Sequence, residues 1–228
     1  MTTPFNYGMY ADPTIADQWQ AWTEAIKPDD IRNTTLYPRL SAWIAEHTPR
    51  SVLEIGSGQG ISSSRVTLGT ARYIGVEPSA RLRELATEQY PHHTFLPGIA
   101  EALPLPDQSI DCAFSLFVWL HIDDINSAGR ELARVLAPDG RFMIITANPN
   151  EYDTWKSWHR NLHIDGKHLT GDMPRLSHHE MYLNTYDELI ASFMNAGLTI
   201  TSIDTAGIDP ESPVINQQGF AIIIEGFK

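Results

Sequence analysis

The sequence predicts an α/β fold: a doubly wound, mostly parallel sheet of seven strands whose last pair is antiparallel, with helices on both faces. Three observations carry this expectation. Apolar, β-branched runs alternate with amphipathic stretches in the rhythm of strand–helix–strand units. The run Val52-Leu-Glu-Ile-Gly-Ser-Gly-Gln-Gly60 ends a strand in an acid and three glycines before a helix begins. Glycine lets a ligand approach the backbone where a Cβ would collide, and open α/β sheets bind nucleotide-like ligands at this place. Finally, Leu198–Asp204 and Phe220–Glu225 read as strands joined only by Gly207–Gly219, rich in Pro and Asp. That connection is too short for a helical crossover, so the two strands are expected to pair antiparallel.

In chain order, Pro13 to Ile26 sets Ile15, Trp19, Trp22 and Ile26 at three- and four-residue spacing and predicts a helix. A second helix runs from Leu36 to His47. The first strand is followed by a helix from about Gln59 to Leu68 and a strand from Arg72 to Val76. Ser79 caps the next helix, with Leu82 and Leu85 inward, until Pro91 ends it. His93 to Leu96 and Ile110 to Leu116 are the third and fourth strands. Asp123 or Asp124 caps a helix running to Leu136, Ala137-Pro-Asp-Gly140 reads as a turn, and Arg141 to Thr146 is the fifth strand. A helix from Thr185 to Ala196 precedes the last two strands.

The whole chain, 1–228, is expected to be a single domain with an N-terminal helical cap (1–34) and a helical lid inserted after the fifth strand (148–184). The second segment far exceeds the usual connection of about 4–6 residues, which marks it as functional or disordered. Its Tyr152, Trp155, Trp158, Met173, Met181 and Tyr182 argue for order. Trp155, Trp158 and Leu162, with His159 and His163, suit a short helix lying with Trp19 and Trp22 over the carboxyl edge of the sheet. These tryptophans either pack cap against cap or also line a substrate pocket, since such pockets are largely aromatic.

Composition narrows the class. With 228 residues, 42% of them hydrophobic, the chain is long enough for one α/β core with decorations. No apolar run approaches the roughly 20 residues of a membrane span, and Met1-Thr-Thr-Pro-Phe lacks the basic start and apolar core of a signal peptide. A cytoplasmic location and no membrane partner are expected. The single cysteine, Cys112, excludes an intramolecular disulfide and reads as a buried strand thiol. A formal net charge of −12 without a basic stripe disfavours nucleic acid.

The glycines decide which nucleotide. Read as G-x-G-x-x-G from Gly56, the pattern fails at Ile61, where a dinucleotide fingerprint needs its third glycine, and no Lys-Ser/Thr follows to make a phosphate loop. The register Glu54-x-Gly56-x-Gly58-x-Gly60 suits a ligand with an amino group and no phosphate. About 20 residues after the first glycine, Arg72-Tyr-Ile-Gly-Val-Glu-Pro-Ser79 presents Glu77, an acceptor-only carboxylate able to take both hydroxyls of a ribose. Further on stand Gly98-Ile-Ala-Glu-Ala-Leu-Pro-Leu-Pro-Asp107, Ser109-Ile-Asp-Cys-Ala-Phe-Ser115 and Arg134-Val-Leu-Ala-Pro-Asp-Gly-Arg-Phe-Met-Ile-Ile-Thr146.

In order and spacing these five blocks resemble the class I S-adenosylmethionine-dependent methyltransferases, in particular their small-molecule, type 11-like branch, over roughly residues 35–147. The resemblance implies a Rossmann-like fold, S-adenosylmethionine as donor with S-adenosylhomocysteine as product, and direct methyl displacement onto a small, partly apolar or aromatic acceptor. It places Glu54 at the methionine amino group, unless that residue is only a satisfied strand-end carboxylate. It sets Gly56, Ser57 and Gly58 beneath methionine and ribose, and Glu77 with Pro78 at the ribose. Gly98 and Ile99, Ala100 and Glu101 fall around the adenine, the Ala100 N–H facing a ring nitrogen. Ser115 and Leu116 lie where the methionine tail meets substrate. Ile99 departs from the family's commoner Asp, so the adenine amino group must find another acceptor, water or apolar walls.

Direct displacement needs no base when the acceptor ionises readily, because alignment and exclusion of water supply most of the rate. An acceptor of higher pKa needs one, and His121, in Trp119-Leu-His-Ile-Asp123, His159 and His163 are the candidates. The i, i+4 pair His159/His163 also permits a metal, but Arg160 stands where a zincin carries Glu, and no metal site is expected. Two alternatives remain open: a nicotinamide-dependent oxidoreductase, opposed by the missing glycine and the antiparallel final pair, and a non-catalytic binding or regulatory protein on the same fold. Aromatics near both ends suit a homodimer face as readily as a pocket.

Overall fold

The computed structural model describes residues 12–207 and 219–228. The start of the predicted cap (1–11) and most of the Pro/Asp-rich connection (208–218) lie outside the described residues. Helix α1 (Pro13–Glu24) and a π-helical turn (Arg32–Leu36) lead into α2 (Tyr37–His47). The chain then alternates β1 (Ser51–Ile55), α3 (Ile61–Arg65), β2 (Arg72–Glu77), α4 (Ala80–Gln89), β3 (Thr94–Pro97), β4 (Ile110–Leu116), α5 (Ile125–Val135) and β5 (Leu136–Ala147). A short helix α6 (Tyr152–Ser157) and strands β6 (Arg160–Asp165), β7 (His168–Met173) and β8 (Leu176–Tyr182) precede α7 (Tyr186–Met194), β9 (Thr199–Ala206) and β10 (Ala221–Phe227).

Seven strands form the main sheet in the order β3-β2-β1-β4-β5-β10-β9. The first five pair in parallel, whereas β10 runs antiparallel to both β5 and β9, as the short final connection predicts. The chain winds outward from β1 to β3 and returns to the other side of β1 at β4, so the switch point lies between the carboxyl ends of β1 and β4. Every residue of β1 is buried, as expected of a central parallel strand covered on both faces. On one face, Ala128 and Leu132 of α5 and Leu189 and Phe193 of α7 meet Phe142 and Ile144 of β5. On the other, Leu40, Trp43 and Ile44 of α2 meet Val52, Phe114 and Met143. Cys112 is buried in β4, and burial pushes its thiol up to about 12.

Two expectations are corrected. The predicted turn Ala137–Gly140 lies inside β5 as a bulge, marked by a register shift opposite Ile110/Cys112 and by Asp139 at φ 63°. The predicted helical lid is mostly β: after α6 the insertion is a separate three-stranded antiparallel sheet, β6-β7-β8. Asp165 pairs with His168 across a turn in which Gly166 has φ 59°, a Gly-containing hairpin connection. Burial then alternates: Leu169 and Gly171 in β7, and His179 and Met181 in β8, face inward. The helical spacing of Trp155, Trp158 and Leu162 is overridden, and Leu162 ends on exposed β6. Among the described residues no helix is long and apolar enough to cross a membrane.

Helices α5 and α7 touch where Gly129 lies against the Ser192 carbonyl, with no room for a Cβ. Gly129→Ala should therefore lower unfolding free energy by about 1–3 kcal/mol in urea titrations, even though Ala gains about 1 kcal/mol over Gly in helix propensity.

Candidate active site

The glycine turn after β1 is suspended from the end of β2. The Gly56 and Ser57 N–H groups both donate to the Val76 carbonyl, at 2.7 and 3.1 Å. The Gly58 N–H donates to Glu77 Oε2 at 3.0 Å, and the Ser79 N–H to Glu77 Oε1 at 2.9 Å. Gly56 and Gly58 have φ of 74° and 53°, and a Cβ on Gly56 would run into Val118. Glu77 is only 5% exposed, and burial raises its pKa to about 7 against the pull of those two N–H donors. Each of its oxygens keeps capacity for a further donor.

Glu77 lines a cleft at the switch point. Gly56 and Gly58 form its floor, and Pro78, Ile99, Ala100, Glu101 and Leu116 continue the wall. Ile99 and Ala102 form an isolated bridge that shapes this wall. Glu101 has its pKa raised by burial, with Asp124 and Asp123 adding to it. The far side is closed by Trp19 of α1, His121, and Glu180 and Tyr182 of β8. Among the described residues no Lys or Arg lines this cleft. Most of the predicted cofactor residues thus converge on one concave surface, and its apolar walls with a carboxylate facing inward fit a nucleoside.

A smaller cavity opens on the other side of the turn, bordered by Trp19, Arg32, Tyr37, Glu54, Ser57 and Phe117. Glu54 is placed here rather than in the main cleft. It is 2% exposed, accepts a hydrogen bond from the Tyr73 hydroxyl, and has its pKa raised to about 8 by burial. Arg32, which the sequence reading did not single out, lies with its guanidinium carbon 4.9 Å from the Trp22 ring centroid and 5.3 Å from that of Phe117. It also pairs with Asp30 at 3.2 Å. An acid and a guanidinium across one small cavity suit the zwitterionic end of an amino acid. Leu116 lines both cavities, Ser115 neither; Ser57 Oγ and Ser115 Oγ are buried without a hydrogen-bond partner among the described residues.

The histidines separate. His121, in a 3₁₀ turn over Trp119–His121, donates from Nδ1 to the Glu180 carbonyl at 2.6 Å, and burial lowers its pKa to about 4. His159, just beyond α6, is buried away from the cleft against His179, and His163 stands on exposed β6. Trp155 and Trp158 pack on Phe220 rather than on the tryptophans of α1. Among the described residues no three His, Cys, Asp or Glu side chains are grouped to hold a metal ion.

The chain is similar to known methyltransferases. Residues 53–144 match the family described as "Methyltransferase domain". The "Uncharacterized methyltransferase YcgJ" of Bacillus subtilis is 31% identical over 150 residues, covering 63% of this chain and 53% of the relative. The chain spans about half the length of the curated relatives it matches. A crystal structure of an S-adenosylmethionine-dependent methyltransferase from Mesorhizobium loti superposes with a TM-score of 0.64 at 16% identity, over 88% of this chain and 99% of that one. A Thermotoga maritima structure titled a possible histamine N-methyltransferase gives 0.64 at 22% identity, over 94% and 98%. The fold is shared, and family and fold imply S-adenosylmethionine as the cofactor.

Hydroxyl donors favour the ionised form of Glu77, so below about pH 7 its proton must leave before a ligand's hydroxyl groups can donate to both of its oxygens. Affinity for S-adenosylhomocysteine should rise with pH through that value and on toward about 8, where Glu54 also loses its proton. Calorimetry from pH 6 to 8 should show this slope, and Glu77→Gln should lessen it by up to about tenfold per unit on the acid side, leaving the part that belongs to Glu54.

Proposed function

Starting from a class I S-adenosylmethionine-dependent methyltransferase domain over residues 53–144, we propose that the protein transfers a methyl group to a small, partly apolar or aromatic acceptor bound between α1 and β8. The observation that carries this reading is one continuous cleft. It begins at the glycine turn and Glu77 and ends at Trp19, His121 and Tyr182. Its aromatic walls favour a flat or apolar acceptor, and the lack of Lys and Arg among its described lining residues, together with a net charge of −12, disfavours a polyanionic one.

Bound S-adenosylmethionine supplies an electrophilic sulfonium methyl group. Gly56 and Gly58 let the ligand lie close to the main chain, Glu77 holds the ribose, and Glu54 and Arg32 hold the amino and carboxylate groups of the methionine end. Trp19, reaching into both cavities, excludes water. His121 is unprotonated at neutral pH, and because Nδ1–H is committed to the Glu180 carbonyl, Nε2 carries its lone pair. A base of this low pKa is unprotonated at neutral pH but weak, so it suits an acceptor hydroxyl of the phenolic kind better than an aliphatic alcohol.

The cofactor assignment is tested by calorimetric titration with S-adenosylmethionine, S-adenosylhomocysteine and NADH. Both sulfur nucleotides should bind in the micromolar range, NADH should not, and Glu77→Ala should abolish binding; tight NADH binding, or none of the three, overturns the reading. Acceptors are then sought by release of S-adenosylhomocysteine over a panel of phenols, aromatic amines and thiols. With a phenolic acceptor, His121→Asn should lower kcat by about 10²–10⁴-fold while leaving affinity for S-adenosylhomocysteine unchanged.

A further inference from the structure

Behind the cleft wall, three imidazoles form a chain whose protons can be assigned. His159 Nδ1–H donates to the Trp155 carbonyl at 2.9 Å, which leaves Nε2 as an acceptor. That nitrogen lies 2.8 Å from His179 Nδ1, so His179 is the donor between the two rings. The next residue along β8, Glu180, offers its carbonyl to His121 Nδ1–H at 2.6 Å. The rings of His121 and His179 meet edge to face, with centroids 5.1 Å apart. Main-chain carbonyls cannot donate, so one at each end fixes the direction of every hydrogen bond. The contacts therefore run from the end of α6, through two buried side chains, to the wall of the cleft.

We propose that His179, anchored by His159, is a positioning residue for His121. It sets both the Glu180 carbonyl and the ring surface that hold His121 in its Nδ1–H tautomer, leaving the basic lone pair on Nε2. Without such a carbonyl a histidine side chain favours the opposite tautomer, in which Nε2 bears the proton and cannot accept one. This proposal rests on the methyltransferase reading for its use, while its geometry stands independently.

Other charges around His121 do not replace this anchor. The Glu180 carboxylate is engaged by His178 at 2.7 Å and His168 at 3.2 Å. Asp123, Glu101 and Tyr182 line the same cleft. The Glu180 carboxylate favours a proton on His121, whereas burial opposes it. Burial also lowers the pKa values of His159 and His179, so the chain is neutral at pH 7.

The test is ¹⁵N NMR of the imidazoles across pH 4 to 8, on the full chain and without any acceptor. In the wild type, His121 should show a protonated Nδ1 and an unprotonated Nε2 down to about pH 5. In His179→Leu the tautomers should mix toward Nε2–H and the titration should move down, because the Glu180 carbonyl bond that favours a proton on His121 is loosened. His159→Phe removes the acceptor for His179 together with the bond to the Trp155 carbonyl, leaves β8 untouched, and should shift His121 in the same direction; it decides the matter should His179→Leu fail to fold. His179→Gln, whose amide N–H can still donate to His159, should restore the wild-type tautomer. Unchanged tautomer and titration of His121 in both His179→Leu and His159→Phe would overturn the proposal. Calorimetry with S-adenosylhomocysteine on the same samples separates the two readings: absent wild-type binding removes the methyltransferase assignment and leaves the NMR result to stand or fall alone.

Discussion

Three successive backbone N–H groups of the turn after β1 end on β2: Gly56 and Ser57 on the Val76 carbonyl, and Gly58 on the Glu77 carboxylate. This attachment fixes the position of the turn, and it requires an acid at the last residue of β2 whose side chain folds back into the sheet's carboxyl edge. Burying that acid is costly, and its raised pKa shows that two N–H donors do not fully offset the cost. Glu54, on the other side of the turn, is in the same condition, with Tyr73 as its donor. The turn is therefore flanked by two buried carboxyl groups that ligand donors would stabilise in ionised form, which is how perturbed groups come to mark binding sites.

The decorations depend on this frame. Gln18 Oε1 accepts from the Ser177 N–H at 2.8 Å and its hydroxyl at 3.1 Å, clasping α1 to the start of β8. The next residue, Trp19, borders both cavities, and the other end of β8 carries Glu180 and Tyr182 to the opposite wall. One strand of the inserted sheet thus connects the N-terminal cap, the cleft and the histidine chain. A change in acceptor preference among related proteins is expected to fall on α1 and β8, while the sheet and glycine turn stay as they are.

What the sequence made legible follows from how local the governing constraint is. The glycine turn, Glu77 and the final antiparallel pair were readable because backbone geometry at a strand end and the length of a connection leave few options. The inserted sheet was misread because Trp155, Trp158 and Leu162 have helical spacing, while the Asp165-Gly166 hairpin signal and the alternation of Leu169 with Gly171 point the other way. Arg32 was not legible at all: its position depends on a π-helical turn and on Phe117, from a distant part of the chain. Nor was His179, which faces inward against His159 only because β7 pairs with β8.

The central claim is that the glycine turn and Glu77 hold the nucleoside. Amide hydrogen exchange with and without S-adenosylhomocysteine tests it most directly. If the claim holds, amides of residues 56–60 and 99–101 slow together on adding the nucleoside, and those of 177–182 slow with them because α1 and β8 close the same cleft. Slowing elsewhere, with residues 56–60 and 99–101 unchanged, would contradict it.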